Sequence, residues 1–248
     1  MPADPFASLM TLPGVFEAVD VARAAVDALL KENVLRTRRA EVRTESLRRG
    51  AWASAVLAGA NCSLDDYSAP FPDTDDGRRG AASLRVSAEL PSLSGTWRAA
   101  PLQAMARLHT LVAKDFVAAD ELGRPVTDAE VSTRLAQLSD LLAAPTDAPA
   151  VIVAAVVHGE VLALRPFSWG SDLVARATQR LVLIDRGVDP DALSVPEAGL
   201  LELGGAQYAD ALEGYRAATT DGVAQWLVHI SGSIVRGAAV GRQICATI

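Results

Sequence analysis

The sequence predicts an all-α fold, a single helical domain built around a buried helix-loop-helix. Half of the residues are apolar and only 5% are aromatic, a mixture that favours helix over sheet. Almost every residue in Ala150–Leu164 is apolar, and a helix that is apolar on all sides belongs at the centre of a bundle. Pro166 interrupts this pattern, and a new 3.6-residue pattern covers residues 172–187. The intervening residues 165–171 are expected to open to a cleft at a helix N-terminus, where free N–H groups favour an anion.

Helical spacing also covers most of the remaining chain. Helices are predicted over residues 14–31, 34–60, 81–90, 96–118, 127–143, 206–219 and 221–246. Stretches rich in proline, glycine or polar residues predict loops at 61–80 and 189–205, and a loose arm at 1–12. Thr127 and Glu130 have the spacing of a capping box. Alternating strand patterns are absent except at residues 121–126, where a small β-hairpin is predicted.

Net charge and cysteine content exclude several classes of protein. The formal charge of −7 argues against general binding to nucleic acid or to anionic membranes. Two cysteines, Cys62 and Cys245, are too few for a disulfide framework or a four-thiolate metal site. The sequence shows no signal-peptide pattern and no apolar run of the roughly 18–20 residues that span a bilayer. The expectation is a cytoplasmic protein with no nucleic-acid or membrane partner.

The predicted loop and the helix after it carry a family motif. Residues 165–176 read R-P-F-S-W-G-S-D-L-V-A-R, which resembles the signature H-P-F-x-D/E-G-N-G-R-x-x-R of the Fic (Fido) domain family. The positions in register with that signature are Pro166, Phe167, Gly170 and Arg176. His158 lies seven residues before the motif, where the family often has another histidine.

Three further segments resemble the same family. Residues 53–60 resemble its inhibitory-helix pattern S/T-x-x-x-E-G/N, with Ser54 and Gly59 in place and Ala58 at the glutamate position. Residues 108–124 resemble the helix and the G-x-x-R segment that precede the family's target-binding flap. The stretches Q-Y-A-D-A-L and D-G-V-A-Q-W-L-V-H-I resemble its C-terminal tyrosine and tryptophan helices.

The resemblance implies a domain arrangement and, with it, an expected location for the inhibitory segment. Residues 1–60 would form N-terminal helices that include this segment, and residues 61–248 would form the Fic-like helical core. The two parts are expected to make one structural unit. In the family, the inhibitory glutamate pairs with the last motif arginine and blocks productive ATP binding. Ala58 cannot form that pair.

The chemistry that the resemblance implies is not fully supplied by this motif. In the family, the motif histidine accepts a proton from a target hydroxyl during attack on an α-phosphate. Arg165 stands at that position, and a guanidinium has no acceptor lone pair. The acidic residue that would hold Mg²⁺ is replaced by Trp169, which offers no oxygen ligand. The phosphate-binding turn reads Gly-Ser-Asp over residues 170–172, and the first motif arginine is Leu173.

Each remaining candidate residue has a functional and a structural interpretation. The candidates for nucleotide or anion binding are Phe167, Gly170, Ser171, Asp172 and Arg176. Arg176 lies four residues after Asp172, the spacing of an ordinary ion pair on a helix. Arg165 could reach a substrate phosphate or cap the carbonyls that end the preceding helix. His158 could be a hydrogen-bonded histidine of the core.

Two functions from different classes are consistent with these residues. The first is a catalytically degenerate Fic-like domain that binds a nucleotide, another anion or a protein. The alternative is a divergent Fic-type transferase that moves AMP or another nucleotidyl or phosphoryl group onto a protein hydroxyl, with Arg165 stabilising the transition state. ATP with Mg²⁺ is implied only by the family resemblance. No catalytic residue or metal ligand is assigned from the sequence, and the oligomeric state stays open.

Overall fold

The computed structural model describes residues 4–248, and within that range the chain is helical with no β-strand. Two short 3-10 helices cover Ala7–Thr11 and Asp65–Ser68. The α-helices are α1 (Val15–Leu30), α2 (Leu35–Leu57), α3 (Asp75–Ala99), α4 (Pro101–Ala113), α5 (Ala129–Ala143), α6 (Ala150–Leu164), α7 (Ser171–Asp185), α8 (Pro196–Leu203), α9 (Gly205–Arg216) and α10 (Thr220–Thr247). Among these described helices, none has both the length and the apolarity needed to cross a bilayer.

Helix α6 lies at the centre of the molecule, as its all-round apolar sequence predicts. Only Glu160, Ala163 and Leu164 of this helix are not buried. It packs against α7 and α10, and all three helices contribute to the main hydrophobic core. Helix α1 packs on α10, and α2 packs on α3, α7 and α8, so the first two helices share this core.

Helix α3 covers part of the predicted loop at 61–80, the predicted helix at 81–90 and the start of the predicted helix at 96–118, which in the structure is divided at Ala100 and ends at Ala113. Thr74 caps it by accepting a hydrogen bond from the Gly77 N–H, so the helix starts inside the predicted loop. It then continues through the exposed Pro91 to Ala99. An interior proline costs about 3 kcal/mol. Burial of Leu90 and Leu93 on either side stabilises by about 1.5–3 kcal/mol per side chain and holds the helix together.

Two other predicted boundaries are wrong because of capping chemistry. The predicted loop at residues 189–205 contains α8, which begins at Pro196. Proline suits a first helical position, since its missing N–H has no partner there. Helix α5 is capped by Asp128 rather than by Thr127. The Asp128 carboxylate accepts hydrogen bonds from the N–H groups of Glu130 and Val131 in the first turn.

The predicted loose arm is anchored where the structure describes it. Phe6 is 1% exposed, and the Asp4 carboxylate accepts hydrogen bonds from the Thr146 hydroxyl and the Asp147 N–H. The Thr146 hydrogen bond is the main reason that the pKa of Asp4 lies below its usual value. The first three residues of the predicted arm lie outside the described range.

The predicted β-hairpin at residues 121–126 is also wrong. Gly123 adopts a left-handed conformation with a φ of 73° in a series of turns. Its N–H donates to His109 Nδ1 over 2.9 Å, and the Val126 N–H donates to the Pro166 carbonyl over 2.9 Å. These backbone groups bond to α4 and to the loop after α6, so they cannot pair in a strand ladder.

Candidate functional site

The motif loop, residues 165–171, joins α6 to α7 through two left-handed residues. Arg165 has a φ of 48° and ends α6, with its N–H bonded to the Val161 carbonyl at 3.0 Å. Gly170 has a φ of 74°, and a Cβ atom there would lie 2.3 Å from Val112 Cγ1. Both the backbone conformation and the close approach of α4 therefore require glycine at this position.

The motif loop is closed by its own hydrogen bonds and by one aromatic ring. Ser171 Oγ accepts from the Phe167 N–H at 3.0 Å and donates to the Phe167 carbonyl at 3.2 Å. The Phe167 ring stacks on His109, with centroids 4.1 Å apart and planes 5° apart. Pro166, Phe167 and Ser171 are all buried. The prediction that residues 165–171 open to a cleft is therefore wrong for these three residues, because the Phe167 ring packs inward against α4, whereas Arg165 and Ser168 are exposed.

Arg176 is enclosed by partners from two helices. Its side chain is 2% exposed, and its Nε donates to Ser54 Oγ at 2.8 Å. Its Nη2 donates to the Ser54 carbonyl at 3.0 Å and to Asp172 Oδ2 at 2.9 Å. The predicted ion pair with Asp172 is confirmed. The contact with Ser54 brings the predicted inhibitory-helix-like segment of α2 against α7.

The other two residues of that segment follow Ser54 at the end of α2. The Ala58 N–H bonds to the Ser54 carbonyl at 3.1 Å, and the Ala58 carbonyl accepts from Arg79 Nη1 at 3.1 Å. Gly59 comes next in a left-handed turn with a φ of 87°. The residue of this segment that bonds directly to Arg176 is therefore Ser54, while Ala58 lies one turn further along.

Charges at the Asp172–Arg176 pair cancel. Burial alone would lower the pKa of Arg176, but the charge and hydrogen bond of Asp172 outweigh it and raise this pKa. Burial would likewise raise the pKa of Asp172, but Arg176 keeps it below its usual value. Both groups are charged at neutral pH. The positive charge that would attract a phosphate is already neutralised inside the protein.

His158 is a hydrogen-bonded histidine of the core, as its structural interpretation predicts. Its Nδ1 donates to Gln179 Oε1 at 2.5 Å, and its Nε2 accepts from the Tyr208 hydroxyl at 2.6 Å. Burial, reinforced by the charge of Arg176, lowers the pKa of His158 to about 3. Burial raises the pKa of Tyr208 to about 12. Both side chains are therefore neutral at pH 7 and serve as a fixed polar contact between α6, α7 and α9.

Trp169 lies at the edge of a groove next to the motif loop. Its ring stacks on Phe116 with centroids 3.7 Å apart, and the Arg79 guanidinium lies 5.6 Å from the Trp169 ring centroid. The groove has a volume of about 570 Å³, and Lys114, Glu121 and Ser168 also line it. This groove occupies the side of the loop that the sequence predicts to face a cleft.

The Arg165 side chain is exposed beyond the end of α6. The Leu162 carbonyl near the end of α6 instead accepts a hydrogen bond from Arg216 Nη2 at 3.3 Å. Arg165 therefore ends the helix through its left-handed backbone, and the predicted side-chain cap on the α6 carbonyls is not formed.

Solved structures of Fic proteins match most of the chain. A Fic family protein from Desulfovibrio desulfuricans G20 matches with a TM-score of 0.72 and 17% identity, over 91% of this chain and 74% of that chain. Fic-1 from C. elegans matches with a TM-score of 0.65 and 16% identity, over 92% of this chain and 73% of that chain. A Fic domain containing signaling protein from Bacteroides thetaiotaomicron VPI-5482 matches with a TM-score of 0.64 and 12% identity, over 93% of this chain and 98% of that chain. The chain has the Fic fold. No protein-family model and no curated protein matches its sequence.

The residues of this Fic fold do not fit the Mg²⁺ ion that the family motif implies. Mg²⁺ takes oxygen ligands, and the indole of Trp169 has only an N–H donor. The indole is also stacked on the Phe116 ring. The Asp172 carboxylate itself is bonded to Arg176.

Sequence reasoning did not find two contacts that hold this Fic-fold loop in place. His109 lies within the predicted helix at 96–118, and in the structure it joins Phe167 to Gly123. Arg79 lies in the predicted loop at 61–80, and in the structure it joins the end of α2 to Trp169. Both contacts connect residues from separate helices. Spacing along one helix gives no signal for them.

Proposed function

We propose that this chain is a Fic-fold binding module that transfers no nucleotidyl or phosphoryl group and acts by binding another protein. The observation that carries the proposal is the enclosure of Arg176, which is 2% exposed and bonded to Ser54 and Asp172. In the family signature this is the last arginine of the motif. Here its hydrogen bonds and its charge are used within the protein, so a triphosphate would have to displace both partners.

The motif loop also lacks the groups that transfer would need. Arg165 has no lone pair with which to accept a proton from a target hydroxyl. General-base catalysis alone contributes about 10²–10⁴-fold in rate, and loss of charge stabilisation by a metal or a second arginine adds to that deficit. Asp172, which lies in the turn that would hold the phosphates, already occupies Arg176.

The groove beside Trp169 supports a protein as the partner. The stacked pair Trp169 and Phe116 lines this groove together with the charged residues Lys114, Asp115 and Glu121. Aromatic residues surrounded by polar ones are a usual composition of protein interfaces. The groove also lies beside residues 121–126, the part of the chain that resembles the segment before the family's target-binding flap.

The absence of transfer is tested with purified protein, labelled ATP and Mg²⁺, alone and with lysate proteins. We expect no labelled product from the wild-type chain. The positive control restores the family signature with Arg165→His, Trp169→Asp, Ser171→Asn, Asp172→Gly and Leu173→Arg, and these five changes should be needed together before transfer appears. Robust transfer by the wild-type chain that Arg165→Ala abolishes would instead support the divergent transferase.

Protein binding is tested with a photo-crosslinking residue at the exposed position Ser168. Trp169→Ala should reduce the captured partner by about tenfold or more, because buried tryptophans are typical interface hot spots. Phe16→Ala is the matched control, since Phe16 is a 60% exposed aromatic residue on α1. Equal losses in the two variants would show that the groove beside Trp169 is not the binding surface.

A further inference from the structure

A second cavity lies along another face of the central helix. It has a volume of about 630 Å³, within the range of roughly 300–1,000 Å³ found for small-molecule sites. Its apolar wall is formed by side chains from the N-terminal segment, α5, α6 and α10, namely Phe6, Leu9, Leu141, Val156, Ala163 and Val223. None of the motif-loop residues lines it, so an inference from this cavity stands apart from the proposed function.

The wall that α6 provides includes the single charged residue of that helix. Val156, Glu160 and Ala163 follow one another at helical spacing and line the cavity together. Glu160 Oε2 accepts from Arg134 Nη2 at 2.7 Å, and Glu160 Oε1 accepts from the Tyr215 hydroxyl at 2.7 Å. Both carboxylate oxygens therefore have partners, and Arg134 balances the charge of Glu160.

Arg216 adds a second positive charge to the lining of the cavity. Its Nη2 donates to the Leu162 carbonyl at 3.3 Å, which holds the guanidinium beside the last turn of α6. Its other contact is an ion pair at 2.6 Å with Glu213, whose side chain is 68% exposed and does not line the cavity. Exposed pairs of this kind contribute little. A desolvated anion could thus compete for Arg216.

The charges of the lining select the class of ligand. Arg134 and Arg216 against Glu160 leave one positive charge in a cavity whose other walls are mostly apolar. We propose that this cavity binds a small amphipathic monoanion, with its apolar body against Leu9 and Val223 and its carboxylate on Arg216. A dianion would carry more negative charge than the single net positive charge of the lining can balance. A cation would be repelled by Arg216 and would find no carboxylate in the lining free to pair with it.

The N-terminal segment is built as a fixed wall of this site. Asp4 accepts hydrogen bonds from the Thr146 hydroxyl and the Asp147 N–H, which ties the segment to the connection between α5 and α6. Phe6 is 1% exposed as a result. A wall that is already ordered costs little further entropy when a ligand binds.

The test compares two probes of equal length on the full chain by titration calorimetry. Octanoate carries the carboxylate, and octanamide is its neutral counterpart. Wild-type protein should bind octanoate more tightly than octanamide. Arg216→Gln should weaken octanoate binding about ten- to hundredfold, the usual range for losing a hydrogen bond between charged groups. The affinity for octanamide should change by less than about threefold, because its hydrocarbon chain still contacts the unchanged apolar residues of the cavity.

Two further variants make the result specific to this cavity. Arg242→Gln is the matched control, because Arg242 also forms an exposed pair, with Glu32, away from the cavity. It should leave octanoate binding unchanged. Ala163→Phe should weaken both probes by filling the site. Absence of octanoate binding, or equal effects of Arg216→Gln and Arg242→Gln, would overturn the proposal. So would octanoate-induced methyl NMR shifts at Val228, which lines a different groove, rather than at Val156 and Val223.

Discussion

Replacing Asp172 by asparagine removes one charge of the enclosed pair while keeping the size of the side chain. Arg176 is 2% exposed and would lose its only ion-pair partner among the described residues, although Ser54 would still accept two hydrogen bonds. Removing one partner of a fully buried pair costs about 3–5 kcal/mol. The Asp172 side chain is 36% exposed, so solvent screens part of the pair. We therefore expect Asp172→Asn to lower the free energy of unfolding by about 1–3 kcal/mol.

The assay is urea unfolding at pH 7, with Glu41→Gln as the matched control. Glu41 pairs with Arg38 at the surface, where the two side chains are 54% and 44% exposed, so solvent screens this pair and its loss should change the free energy of unfolding far less. The pKa of Asp172 is lowered in the folded state, so its contribution is present above the unfolded pKa of about 3.9. The difference between wild type and Asp172→Asn should stay constant from about pH 5 to 8 and shrink as the pH falls below about 4. A loss no larger than that of Glu41→Gln would refute the reasoning.

Two more predictions concern the backbone of the motif loop and the core histidine. Gly170→Ala should lower the free energy of unfolding by about 2–4 kcal/mol, from left-handed strain and the contact with Val112, whereas Gly187→Ala should cost only about 1–2 kcal/mol. Gly187 has the same φ of 74° and open space around it, so equal losses in urea unfolding would contradict the close approach at Gly170. The NMR signals of His158 should show a neutral ring down to about pH 4.5, because its pKa is lowered to about 3. The stability that His158 contributes is complete above its unfolded pKa of about 6.5 and is lost as the pH falls towards 3, and a titration near pH 6.5 would contradict this account.

The centre of the fold could be predicted because its signal is local. Helix α6 begins and ends where the apolar run predicts, since a run of this kind has no stable exposed conformation. Pro166 marked the start of the loop by its backbone properties alone. The ion pair of Asp172 and Arg176 was likewise visible as a spacing of four on one helix.

The parts that could not be predicted depend on contacts between distant segments. The whole motif loop was expected to open to a cleft, but Pro166, Phe167 and Ser171 are buried, and the Phe167 ring stacks on His109 of α4. The hairpin was expected from residue spacing, and its N–H groups are instead used by His109 and Pro166. Neither partner can be read from the periodicity of one segment. The contact of Ser54 with Arg176 across 122 positions of sequence is different, because the family resemblance of residues 53–60 already implies that this segment lies against the last motif arginine.

The central claim is that the phosphate position of this Fic fold is closed by Arg176, Ser54 and Asp172. The most direct measurement is a crystal structure of the wild-type chain determined with ATP and Mg²⁺. We predict that no triphosphate is bound at residues 165–176 and that Arg176 keeps its bonds to Ser54 and Asp172. A triphosphate bound at Gly170 and Ser171, with Arg176 turned towards it and Arg165 against its phosphates, would contradict the account.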